Sequence, residues 1–405
     1  MPDLPEPSGF PFPGSSYRGP DPRFTRLRAE RPVVRVQVAG GAHAWLVTRH
    51  ADIRAVLEDD ARFSRAAVYG PQAPKFEGLF QAPPGMIISV DPPAHTRLRG
   101  LAEQAFSADR IAGMRPRVRE LADGLLDEVA AKGSPADLLG DFATPLALTV
   151  ICELLGVPLA DRELFHTWVR QFAAVSGPEE EAVAAREQLA AYIGRLVAAK
   201  RREPSDDVLS ALIAARGGEG EERLTDQELV VFGYTLLGAG FDSTASQIAN
   251  SVLALLADHP GTWRSLGSRP ELIPAAVEEL LRGVNLFATD TSGLPRIATE
   301  DVAVGGTVIP AGDAVFLAFA SGNRDESVFA DAERLDFERS PNPHLAFGHG
   351  AHRCLGAQLA RLELSVALEA LTPRFPGLRL GVPESRLRWR TGDVNLSLLA
   401  LPVAW

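Results

Sequence analysis

Phe347-Gly348-His349-Gly350-Ala351-His352-Arg353-Cys354-Leu355-Gly356 is the stretch around which this 405-residue chain is organised. Its glycines carry no side chain and accept backbone angles that other residues resist, so the segment reads as a loop. A helix pattern begins at once beyond it. Leu355, Leu359, Leu362 and Val366 recur at helical spacing and make one face apolar. Cys354 therefore sits at or just before a helix start, where unpaired N–H groups and the positive end of the dipole favour a thiolate over a thiol. Taken alone, a glycine-rich loop with one cysteine reads equally as a buried structural thiol after an ordinary turn.

The ten residues together are more specific than their parts. A thiolate held this way suits the axial position on haem iron, where its electron donation promotes O–O cleavage, and the glycines let backbone approach a flat macrocycle. With aromatic, glycine, basic residue, cysteine and glycine in order, and with Ala357-Gln358-Leu359-Ala360-Arg361 following, the stretch resembles the signature of the cytochrome P-450 family. The resemblance implies a mainly α fold with small β-sheets (α+β), built as one large helical domain around a buried haem. That domain is expected over residues 21–405, after a Pro-rich segment over 1–20. It implies Cys354 as the ligand to the iron of haem b, with Phe347, Gly348, His352 and Gly356 in the loop that holds the cofactor.

Composition agrees with a globular protein and excludes other classes. The net charge of −11 argues against nonspecific nucleic-acid binding. Nearly all positive charge is arginine, since only Lys75, Lys132 and Lys200 are lysine. The N-terminal stretch lacks the apolar core of a signal peptide, and the longest largely apolar run, 229–241, is too short to span a bilayer. A cytoplasmic protein is expected. Two cysteines cannot form a disulfide framework, and Cys152 lies on an apolar helical face as a small core residue.

Along the chain, 33–38 and 44–48 read as two strands joined through Gly40 and Gly41, and 51–57 as a short helix. Residues 69–84 form a long irregular loop, and 217–222 a polar turn. Residues 110–216 are almost wholly helical in pattern, with breaks near 132–135, 157–158 and 177–178. Proline precedes a helix at Asp91-Pro92-Pro93-Ala94-His95-Thr96-Arg97-Leu98-Arg99, and His95 and Arg99 share one of its faces. On their own they read as a solvated basic face. The family resemblance implies instead that they bind the haem propionates, which suit a cationic pair, with Arg296 as a third partner.

Thr225-Asp226-Gln227-Glu228 resembles a helix cap, and the apolar pattern beyond runs some thirty residues, roughly 45 Å of helix at ~1.5 Å per residue. Its middle, Leu237-Gly238-Ala239-Gly240-Phe241-Asp242-Ser243-Thr244, is poor helix material. Glycines and hydroxyl side chains weaken it, which fits either close packing through small residues or a functional distortion. The resemblance implies the latter, an oxygen-binding groove. There Ser243 stands where the family most often has threonine, and Thr244 follows. Glu279 and Arg282, at i and i+3, resemble the family's structural Glu-x-x-Arg pair. The chain ends in a hairpin pattern over 387–401, with Gly392-Asp393 as its turn.

The activity implied is monooxygenation: one atom of O2 enters a C–H or C=C bond of a bulky, mainly apolar small molecule. Asp242, Ser243 and Thr244 are the candidates for proton delivery. Ala239, Phe287 and Leu396 are the candidates for lining the substrate pocket, together with the 69–89 loop and a lid over 165–190. A specialised metabolite of polyketide, macrolide, terpenoid or peptide type is expected as substrate. With no fused reductase segment, electrons are expected from NAD(P)H through a reductase and an external ferredoxin docking near Arg353 and Arg361. A monomer with no membrane or nucleic-acid partner is expected. The alternatives are peroxide-driven, coupling or dehydration chemistry at the same haem, a haem-binding sensor without oxygenase activity, and a zinc site formed by His349, His352 and Cys354, for which the spacing lacks the usual paired ligands.

Overall fold

The computed structural model describes residues 8–76, 82, 83, 85–173, 178–215, 223–289 and 294–405. The polar turn expected over 217–222 lies outside them, as do 77–81 and 84 of the expected loop and 174–177 of the expected lid. The helices that bear on the site are, in chain order, α1 (His50–Glu58), α2 (Ala94–Ala105), α3 (Arg115–Lys132), α4 (Thr144–Leu155), α5 (Glu179–Arg202), α6 (Asp226–Gly240), α7 (Asp242–Asp258), α8 (Ile273–Gly283) and α9 (Ala357–Arg374). The chain divides into two compact units, each made of two separated stretches: Met1–Thr96 with Glu278–Cys354, and Arg97–Val277 with Leu355–Trp405.

The first unit is built on a six-stranded sheet, ordered Ser8–Phe10, Val33–Val38, His43–Val47, Ala314–Leu317, Arg296–Ala298 and Phe63–Ser64. The expected hairpin is present: Val33 faces Val47 and Gln37 faces His43 across the antiparallel pair. Alternation sends successive side chains to opposite faces, and both are buried. Val34, Val36, Leu46 and Phe316 pack with Phe10, Phe12 and Phe24. Val33, Val47, Val315 and Leu317 pack with Ile53, Val56 and Phe63 on the other side. A two-stranded ribbon, Val302–Val304 with Thr307–Ile309, completes this unit's β structure.

Among the described residues the second unit is mainly helical, with the terminal hairpin and one small sheet ordered Arg379–Leu380, Pro402–Ala404 and Ala136–Asp137. Its helices pack closely where glycine faces a branched side chain. A Cβ on Gly233 of α6 would lie 2.4 Å from Ile193 Cγ2 of α5, and one on Gly240 would lie 2.7 Å from Ile151 Cδ1 of α4. Buried positions run through almost every residue of α4 from Leu146 to Leu155, so a plain amphipathic stripe is replaced by burial all round. Cys152 is one of them, and burial pushes its thiol up to about 12. It is a core residue, as its apolar surroundings predict.

The thirty-residue helix expected from Thr225 onward is two helices. Thr225 caps α6 with a complete capping box: its Oγ1 accepts from the Glu228 N–H, and Glu228 Oε2 accepts from the Thr225 N–H at 2.8 Å. The helical ladder is then interrupted at Phe241, which stands between α6 and α7 with φ −107° and ψ −45°.

Candidate active site

Cys354 lies at the end of a loop whose backbone is left-handed at two glycines, Gly348 with φ +67° and Gly350 with φ +69°. At Gly350 no other residue fits, because a Cβ would sit 2.2 Å from the carbonyl oxygen of Leu57 at the end of α1. The Cys354 N–H donates to the Phe347 carbonyl at 2.8 Å, and the Gly348 N–H donates to the Leu345 carbonyl at 2.9 Å. These bonds close the loop on itself and leave the Cys354 thiol exposed. Gly356 is the N-terminal cap of α9, so the thiol precedes the helix by less than one turn, as the pattern predicts.

In the same unit a cationic group collects around the start of α2 and the Arg296–Ala298 strand. His95, 2 % exposed, stacks with His352 of the loop, ring centroids 4.0 Å apart. Arg296 is equally buried and pairs with Asp60 at 2.7 Å while donating to the Phe63 carbonyl at 3.1 Å. Arg65 is a member that sequence reading missed. Its guanidinium donates to the carbonyls of Ile88 and Leu294 at 2.9 and 2.8 Å. Burial, and then the charge of neighbouring Arg296, push Arg65 down to about 9. An anion brought to this group would relieve that depression. The donor set therefore fits haem: an exposed thiol for iron, and buried guanidiniums and histidine for carboxylates. Arg99, by contrast, spends its Nε on Glu103 of its own helix at 2.7 Å.

In the second unit two hydroxyls bond back to the helix at the interruption at Phe241. Ser243 Oγ donates to the Ala239 carbonyl at 2.7 Å and Thr244 Oγ1 to the Gly240 carbonyl at 3.1 Å. Close packing through small residues holds here, since Gly240 lies against Ile151, and the helix is also interrupted at this point. Ser243 is half-buried and Ala239 exposed, whereas Thr244 is 6 % exposed. Asp242 does not stand free. Its Oδ2 accepts from Asn395 Nδ2 at 2.9 Å, and Arg390 Nη1 lies 3.4 Å from Oδ1. Both partners belong to the terminal hairpin, where Trp389 bridges to Leu398 and the Arg390 N–H donates to the Ser397 carbonyl at 2.8 Å. Leu396 at its tip is half-buried, and its carbonyl accepts from Asn250 Nδ2 at 2.7 Å.

Phe287 lies in the first unit, half-buried, after a turn in which its N–H donates to Asn285 Oδ1 at 3.3 Å. A cavity of about 430 Å³ against α5 and α6 is lined by Arg186, Glu187 and Ala190 of the expected lid and by Val230, Val231 and Tyr234, but not by Ala239, Phe287 or Leu396. Arg65, Arg390 and Asn395 were missed because nothing periodic marks them. Ser246 and Asn250 were legible in principle. With Asp242 they form a polar i, i+4, i+8 row along one face of α7.

The comparisons identify the family. A family profile described as Cytochrome P450 matches residues 173–377. The chain is 49 % identical over 385 residues to the nocardicin C N-oxygenase of Nocardia uniformis subsp. tsuyamanensis, covering 95 % of each protein. It is 46 % identical over 404 residues to the mycinamicin IV hydroxylase/epoxidase of Micromonospora griseorubida, covering 99 % of each. The crystal structure of the LnmA cytochrome P450 hydroxylase, from the leinamycin biosynthetic pathway of Streptomyces atroolivaceus, superposes with a TM-score of 0.90 at 46 % identity over 98 % of this chain and 100 % of that one. Among the described residues no helix is long and apolar enough to cross a membrane. Full-length similarity of this degree, with the thiol loop and the interrupted helix both in place, makes the chain a member of the cytochrome P450 family and a monooxygenase.

Proposed function

We propose that this P450 oxygenates a bulky, mainly apolar specialised metabolite, in the cytoplasm, as a monomer that draws electrons from NAD(P)H through a reductase and an external ferredoxin. The substrate class is supported by the relatives named for nocardicin C and mycinamicin IV and by the leinamycin-pathway hydroxylase. The observation that carries the chemistry is the exposed Cys354 thiol at the end of a self-closed loop. Bound haem supplies the oxidising chemistry, activating O2 at its iron. The chain's own residues hold, orient and protonate. Cys354 supplies sulfur to the iron, and His95, Arg65 and Arg296 present buried positive charge to the propionates, with Arg99 a further candidate on α2. Phe347, Gly348, His352 and Gly356 shape the loop around the ligand.

Proton delivery falls to the hydroxyl row at the helix interruption. Ser243 keeps a hydroxyl hydrogen-bonded to the Ala239 carbonyl and half-open to its surroundings, and rotation would turn its proton outward. Thr244 shares the arrangement from a more buried position, and Asp242 brings a carboxylate beside them. Within the second unit Ala239 and Leu396 are offered for substrate contact, and within the first unit Phe287. Replacement of sulfur tests the reading directly. Cys354→Ser should abolish the Soret band characteristic of reduced, CO-bound thiolate haem. A variant that kept that band would reject the assignment of the ligand.

A further inference from the structure

We infer that Asp242, Ser246 and Asn250 form a three-point clamp that fixes the register of the terminal hairpin, which makes them and Asn395 positioning residues for substrate selectivity. The three stand four residues apart, so one face of α7 presents a polar group at three successive turns. Each meets the hairpin. Asp242 accepts from Asn395 at 2.9 Å and pairs with Arg390, which is also 3.1 Å from Asp393. The Ser246 and Ser397 hydroxyls are 2.7 Å apart, with the two residues 3 % and 1 % exposed. Fully buried Asn250 donates to the Leu396 carbonyl at 2.7 Å.

The hairpin needs such a device. Its own ladder consists of one bridge, Trp389 with Leu398, and the bonds from the Arg390 and Leu399 N–H groups to the Ser397 and Arg388 carbonyls, both 2.8 Å. A short two-stranded ribbon holds its register poorly by backbone bonds alone, and a slip of one residue reverses every side chain. Here a slip would strip the buried Ser246 and Asn250 of their partners, which disfavours it strongly. The clamp thus decides which side chain occupies the tip. The selectivity part rests on the reading, given above, that Leu396 lines the substrate pocket.

On this account what matters at positions 242 and 395 is a complementary pair, whichever side carries the carboxylate. A proton relay, in contrast, needs the carboxylate at 242. Hydrogen–deuterium exchange of the 388–399 amides in the holoprotein reads the clamp. The ratio of affinities for 4-phenylimidazole and imidazole, two azoles that differ in bulk, reads the pocket. Asn395→Ala should speed exchange of these amides roughly fivefold, the effect of one lost hydrogen bond. The same variant should shift the azole ratio about threefold. Asp242→Asn combined with Asn395→Asp should return both towards native. Ser397→Ala, a smaller truncation, should loosen the same amides. Unchanged exchange in Asn395→Ala and Ser397→Ala, or a double variant no better than its singles, overturns the clamp. Faster exchange with an unchanged ratio overturns its role in selectivity. Failure of the oxygenase reading would show separately, as a missing thiolate-haem spectrum in the unmodified protein.

Discussion

Ser243 and Thr244 each donate to a carbonyl four residues back, and this local bond explains how an interrupted helix keeps its polar groups satisfied. It also ranks the two hydroxyls. Thr244 is packed into the helix interface at 6 % exposure, while Ser243 retains access. Serine keeps the oxygen of the usual threonine and lacks the methyl that restrains its rotamer. Ser243→Ala should therefore raise peroxide release per NADPH consumed by roughly tenfold, about the worth of one charge-assisted hydrogen bond. Stopped-oxygen and peroxide assays under ferredoxin-supported turnover check this, and unchanged coupling would reject Ser243's role. At this scale the loop from Phe347 to Gly356 and the hydroxyl row were readable, because each is a contiguous run of residues whose chemistry is local. Arg65 and Asn395 were not readable. Arg65 reaches the Leu294 carbonyl across 229 residues of sequence, and Asn395 reaches Asp242 across 153.

Among the elements, α8 shows how a pair that sequence alone leaves ambiguous becomes decisive once buried. Glu279 and Arg282 are wholly enclosed, with Arg282 bonded to both carboxylate oxygens at 2.6 and 2.9 Å. Its remaining donors serve the carbonyls of Asn323 and Ala332 at 2.8 Å and of Arg334 at 2.9 Å. All five guanidinium N–H groups are thereby used. Glu279 also accepts from the Asp336 N–H at 2.7 Å and from Asn342 at 3.0 Å. Glu279→Ala would leave the guanidinium buried without its counter-charge, which costs about 3–5 kcal/mol. That is a large share of the ~5–15 kcal/mol typical of a folded protein, so little soluble holoprotein is expected on expression at 30 °C. Normal yield and melting temperature would show the pair to be dispensable. The i, i+3 spacing gave this pair in advance; its burial was not readable, since the same spacing serves surface pairs. The interruption at Phe241 was foreshadowed by its glycines, but periodicity ran straight through it, and the break appears only in the backbone.

At the scale of the whole chain, sequence periodicity found the helices and missed the sheet partners. Pairing of Trp45 with Val315 or of Val403 with Ala136 joins segments hundreds of residues apart, and no local pattern encodes such a partner. Interior ionisation is a property of this scale too. Glu363 on α9 is 1 % exposed, its Oε2 has no hydrogen-bond partner, and burial alone holds its carboxyl well above the ordinary value. The folded protein thus keeps a proton on Glu363 at pH values where the unfolded chain, with an ordinary carboxyl, has released it. Wherever the folded state binds more protons, stability falls as pH rises. The Glu363 contribution is therefore fully favourable below the unfolded value, ~4.3, and is lost progressively as pH climbs towards the raised folded value. Glu363→Gln keeps the shape and removes the titration. Native holoprotein should lose more melting temperature between pH 5 and pH 8 than the variant does, and the variant should be the more stable at pH 8. Parallel pH profiles for the two proteins, followed by differential scanning calorimetry, would mean that Glu363 is ionised in the fold.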